Sequence, residues 1–156
     1  MTCRLCGENK KLIKAHIIPK GFYKPMRSEI NSPALMKSNV EPPRKSPTGC
    51  YDENILCEKC DGKIGVWDNY AQKILLHDFN EDLAIYRGSE KVCYKIDEFD
   101  YKQLKLFFLS LLWRASITSH YFFSSISTGP FETKLRQLIK TNDVGQEDEF
   151  PVTIAK

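Results

Sequence analysis

Two Cys-x-x-Cys pairs, Cys3/Cys6 and Cys57/Cys60, have 50 residues between them in this 156-residue chain, and no other feature constrains its fold as strongly. Thiolates two residues apart can share a tight turn, and two such turns complete a closed tetrahedral site for Zn²⁺ at ~2.3 Å per bond. The start of the chain is then joined to its middle. A redox dithiol or coincidence are the alternatives, but a thioredoxin-like motif wants one pair ahead of a helix between strands, which two pairs fit poorly. Gly7, just past the first pair, and Gly62, two residues past the second, suit turn geometry. Cys50 and Cys93 have no partner at useful spacing and read as buried or free thiols. The opening residues MTCRLCGENKK lack the apolar stretch of a secretory signal, and the expected setting is a reducing cytoplasm without disulfides.

The length suits one compact domain, or a small module with an extension, divided near residues 1–80 and 81–156. The longest apolar run, LKLFFLSLLW, is about half of the ~20 residues a membrane span needs. KLIKAHII reads as a short strand stopped by Pro19, and residues 25–49, with five of the eight prolines, read as a loop pinned at its ends. From Asp61 to about Phe79 the apolar stripe Ile64, Trp67, Tyr70, Ala71, Ile74 and Leu75 predicts a helix. A hairpin is expected around RGSE, and a second helix from about Asp100, apolar on several faces and so buried on more than one side or used for self-association. A third helix follows Gly129-Pro130, and EDEFPVTIAK reads as a strand. The fold class is α+β.

Charge is uneven. Residues 1–50 hold 10 Lys and Arg against 3 Asp and Glu, whereas residues 51–100 hold 6 against 12. A basic segment can recruit phosphate backbones and nearby acids can hold a divalent cation, although a solvated surface with accidental bias explains the same counts. His16, one of three histidines, lies on the short strand that the zinc would hold beside the helix carrying Asp61 and Asp68. An imidazole able to take a proton from water would then meet carboxylates able to bind a hard cation. The plainer reading is a strand histidine bonded to backbone, with Asp61 a first-turn helix acid and Asp68 a surface acid or salt-bridge partner. Lys14, Lys20, Lys24 and Arg27 flank His16 and could hold phosphates, while Phe22 and Tyr23 among them could stack on a base or simply pack, with packing favoured. Arg114 interrupts an apolar helix and needs a partner, an acid of the middle segment or a phosphate, with the acid the preferred expectation.

Cys3-x-x-Cys6, then AHIIP at 15–19, then NILCEKCD at 54–61, resembles the HNH endonuclease family; HIIPKGFYK with LCEKCDGKIGVWDNYA is similar to its bacterial branch with a His-Ile-Ile-Pro signature. The resemblance covers nearly the whole chain, through softer matches in LLWRASITSH and TGPFETKLR. It implies a zinc-stapled, treble-clef-like ββα-metal core with a mainly helical carboxy-terminal extension containing the hairpin. It implies metal-dependent hydrolysis of DNA phosphodiesters, with His16 as general base and Asn54 orienting the histidine or its loop. Asp61, together with Asp68, would ligate Mg²⁺ or another divalent ion. The implied partners are DNA and, in a restriction or phage-defence setting, a second copy or a partner subunit.

Two features depart from the family pattern. Many members carry a metal ligand just before the catalytic histidine, where this chain has Ala15. Asp61 and Asp68 are two helical turns apart, a rise of about 10.5 Å, too far to share one ion directly, so either another acid such as Asp52 contributes or one of the helix acids acts indirectly, through a lysine or water. The competing expectation is a catalytically inactive zinc-stapled module that binds nucleic acid or protein.

Overall fold

The computed structural model describes residues 1–26, 34–35, 42 and 44–154. Most of the proline-rich segment, including Arg27, lies outside them. Strand β1 (Ala15–His16) pairs antiparallel with β4 (Tyr51–Asp52), while β2 (Ala34–Leu35) pairs with β3 (Arg44–Lys45). In the first pair Ala15 faces Asp52 and His16 faces Tyr51. The pairing continues through the Ile17 N–H to the Cys50 carbonyl at 2.9 Å, the Ile13 N–H to the Leu56 carbonyl at 3.0 Å, and a bridge between Leu12 and Cys57. The partner offset shifts by two residues between Asp52 and Ile55, so Glu53 and Asn54 bulge outward and are exposed.

Helix α1 (Glu58–Gln72) begins directly after Cys57 and runs into a π-helical turn, Lys73–His77. It starts three residues before the expected Asp61, with Glu58 and Asp61 in its first turn, where acids complement the helix dipole. Gly62 is therefore a helical residue and not part of a turn, whereas Gly7, at φ +81°, does make the left-handed turn after the first cysteine pair.

The hairpin forms where expected, as β5 (Ala84–Arg87) and β6 (Glu90–Tyr94). Helix α2 (Tyr101–Ile117) is capped by Asp100, whose carboxylate accepts the Gln103 N–H at 3.0 Å; α3 (Glu132–Thr141) follows. The expected carboxy-terminal strand is not formed. Residues 151–154 have no strand partner among the described residues, and Pro151 has no N–H to give a ladder.

Helix α2 packs against both α1 and α3, which explains why its apolar residues surround the axis. One core joins the two halves of the chain, with Leu106, Leu109 and Trp113 of α2, Ile64 and Trp67 of α1, Leu135 and Ile139 of α3, and Leu5, Ile17 and Leu56 of the amino-terminal half. Each such side chain contributes about 1.5–3 kcal/mol on burial. Arg136 Nε donates to the Leu5 carbonyl at 3.1 Å, and Lys63 Nζ donates to the carbonyls of Ile139 and Lys140, tying α3 to the first cysteine turn and to α1. The protein is α+β with small antiparallel sheets, and no helix among the described residues is long and apolar enough to cross a membrane.

Candidate metal centre and adjoining cleft

The strand pairing brings the two cysteine turns together. The sulfurs of Cys3, Cys6, Cys57 and Cys60 all lie within 4.8 Å of one another, and all but Cys6 are buried. Four sulfurs at ~2.3 Å from a central ion stand about 3.8 Å apart, so modest tightening closes a tetrahedron. The Cys57 N–H donates to Cys3 Sγ at 3.4 Å. Burial pushes the Cys3 thiol up, but hydrogen bonds from the backbone at Cys6, Cys57 and Leu5 outweigh it and hold the thiol at about 7. Burial and the neighbouring sulfurs push Cys60 up instead. The Cys3 thiolate thus forms readily while Cys60 resists ionisation. The tetrad fits a metal ion such as zinc.

Beside this centre, a cleft of about 310 Å³ is lined by His16 of β1, Lys20 and Lys24 of the following 3₁₀ turn, Asp61, Asp68 and Gln72 of α1, and Arg114 of α2. His16 Nε2 lies 3.0 Å from the Thr48 carbonyl oxygen. A carbonyl only accepts, so Nε2 is the donor, and the neutral tautomer that fits this contact has its lone pair on Nδ1. The Asp61 carboxylate has no hydrogen-bond partner among the described residues. Burial pushes its carboxyl above the ordinary value; Arg114 and His16 oppose this, and Asp68 adds to it.

Asp68 is engaged. Both its oxygens accept from Arg114, Oδ1 from Nη2 at 2.7 Å and Oδ2 from Nη1 at 2.9 Å, with side-chain exposures of 12% and 1%. The acid of the middle segment expected to pair with Arg114 is thus Asp68. Asp52 is engaged elsewhere: Oδ2 accepts from the Thr118 hydroxyl at 2.7 Å and from the Ser119 N–H and hydroxyl, while Oδ1 accepts the Asn54 N–H at 2.8 Å. Burial raises its carboxyl, but these bonds outweigh it and hold it below the ordinary carboxylate value.

The structure therefore gathers His16, Asp61, Asp68, Lys20 and Lys24 around one space. It does not bring Asn54 or Lys14 there. Asn54 sits in the outward bulge with its N–H on Asp52, and the backbone of Thr48, not Asn54, holds the His16 ring. Lys14 lies over the Tyr51 ring at 3.5 Å. Phe22 packs, stacked on Phe107 at 5.6 Å. Thr48 escapes sequence reasoning because a backbone carbonyl leaves no mark in the residue types. No second group of three or more ligating side chains converges among the described residues. The cleft's donor set among the described residues, one carboxylate without a hydrogen-bond partner beside an imidazole, does not form an all-protein cage for a cation.

Comparison with known proteins finds no matching family model, no match among curated proteins and no match among solved structures.

Proposed function

We propose that this chain is a metal-dependent endonuclease of the HNH type, a zinc-stapled ββα-metal unit that hydrolyses DNA phosphodiester bonds. The observation that carries the reading is the His16 imidazole, tethered through Nε2 to Thr48 and lining the same cleft as the Asp61 carboxylate, which is unpartnered among the described residues, and the ammonium groups of Lys20 and Lys24. In this reading Nδ1 takes the proton from a water whose oxygen attacks phosphorus, and the bond to the leaving sugar oxygen breaks. Lys20 and Lys24 hold the non-bridging phosphate oxygens and draw the polyanion in by releasing its counterions. A divalent ion such as Mg²⁺, held by Asp61, would supply charge neutralisation at the leaving oxygen. A zinc ion held by Cys3, Cys6, Cys57 and Cys60 would have no open position, so its part would be structural.

Supercoiled plasmid incubated with Mg²⁺, Mn²⁺ or Ni²⁺ tests the proposal. Metal-dependent nicking by the native chain that is lost in His16→Ala is the expected result, and intact plasmid under every metal would sink it.

One observation favours a second reading. Ala15, fully buried, offers no ligand beside His16, and Asp68 is held by Arg114, leaving one uncommitted acid in the cleft. A zinc-stapled module that binds DNA without cutting it would retain salt-sensitive binding in a gel-shift experiment while failing the nicking assay under every metal. A restriction or phage-defence setting, with a second copy or a partner subunit, goes with the nuclease reading by analogy of fold alone.

A further inference from the structure

We infer that Arg114, held in place by Asp68, is a positioning residue for His16, clamping the strand that carries the imidazole onto the helix that carries Asp61. A guanidinium has five N–H donors, and all five are used here. Nε donates to the Ser110 carbonyl at 3.3 Å. Nη1 donates to the His16 carbonyl and to Asp68 Oδ2, both at 2.9 Å, and Nη2 donates to Asp68 Oδ1 at 2.7 Å and to the Ser110 hydroxyl at 3.4 Å. One side chain thus ties β1, α1 and α2 together at the peptide of the candidate base.

Although Arg114 lines the cleft, it has no N–H left for a phosphate. Among the described residues that line it, Lys20 and Lys24 are the cations that remain free to bind one. A lysine in place of Arg114 would offer three donors from a single nitrogen and could not span the His16 carbonyl, two carboxylate oxygens and Ser110 together. Stability alone is a poor reason for the pair, because apolar side chains of similar volume often replace a buried ion pair without loss. Strand β1 is only two residues long, and this bond holds its second residue from the α2 side.

The kinetic part of this inference rests on the proposed nuclease activity; the spectroscopic part does not. Arg114→Lys and the nearly isosteric Asp68→Asn are compared with the native chain, each checked for zinc content and thermal transition. Lys105→Met serves as a control for general loosening of α2, since it removes another buried cation of that helix and its 3.0 Å bond to the Gln146 carbonyl. Nitrogen NMR of the His16 ring reads the tautomer. The native protein should hold the Nε2–H form, both clamp variants should average the two tautomers, and Lys105→Met should not. In the nicking assay the clamp variants should lose about 100-fold in kcat at unchanged KM, the scale of a misplaced reacting group. If Arg114→Lys fails to retain zinc, Asp68→Asn carries the comparison. An unchanged tautomer in a zinc-loaded clamp variant overturns the inference, and so does a raised KM with a shallower salt dependence, which marks direct phosphate binding. A native chain that never cuts DNA refutes the nuclease reading and leaves the tautomer comparison to decide the clamp.

Discussion

The His16 ring donates from Nε2 to the carbonyl of Thr48, and the next residue, Gly49, turns the chain at φ +78°. A Cβ on Gly49 would run into the Tyr23 ring, whose hydroxyl accepts the Cys50 N–H at 3.0 Å. Gly49→Ala should therefore cost at least about 1–3 kcal/mol from backbone strain alone and should loosen the histidine's tether. Urea denaturation reads the first effect, and a native-like midpoint would contradict it.

Metal should set the stability of the amino-terminal half. About one zinc per chain is expected by elemental analysis. Stripping it with a chelator, or Cys57→Ser, should unfold the cysteine turns, because structural Zn²⁺ contributes on the order of 10 kcal/mol in small zinc domains. A purified chain without tightly bound transition metal would remove the basis of this expectation.

Asp52 ties β4 to the end of α2 through Thr118 and Ser119. Because its folded-state pKa is depressed, its contribution is full above the unfolded carboxylate value of ~3.9 and is lost as pH falls through the lower, folded value. Asp52→Asn should lower stability at neutral pH, and the gap between variant and native protein should narrow in acid. Unfolding curves across that pH range check this, and a gap independent of pH would count against it.

If the cleft binds DNA as proposed, Lys20→Gln with Lys24→Gln should weaken binding and flatten its salt dependence by about 0.9 in the log–log slope for each phosphate no longer neutralised. Lys14→Gln should have a smaller effect, because Lys14 lies over Tyr51 and does not line the cleft. Gel-shift titrations over a range of salt concentrations separate the two cases, and equal slopes for all variants would argue against the assignment.

Local chemistry is legible along the chain. Cysteine spacing announces the tetrad because two thiol pairs on short turns are a ready zinc-ligand set, and the helices of the second half announce themselves through the long apolar run of α2 and the Gly129-Pro130 break before α3. Arg114 is visible as a charge that an apolar helix could not bury alone. What residue types do not reveal is how the neighbourhood of His16 is assembled. Its ring is held by the carbonyl of Thr48, 32 residues away, and its own carbonyl by Arg114, 98 residues away; backbone groups are the same at every position and carry no sequence signal. Asn54 lies in a plausible place in the sequence, yet a two-residue shift in strand pairing turns it outward. The order of residue types was enough to set the donors, the helices and the thiol clasp. Which acid stays unpartnered was a matter of packing, since Asp61 and Asp68 are the same residue type on one helix and only the approach of α2 delivers a guanidinium to the second.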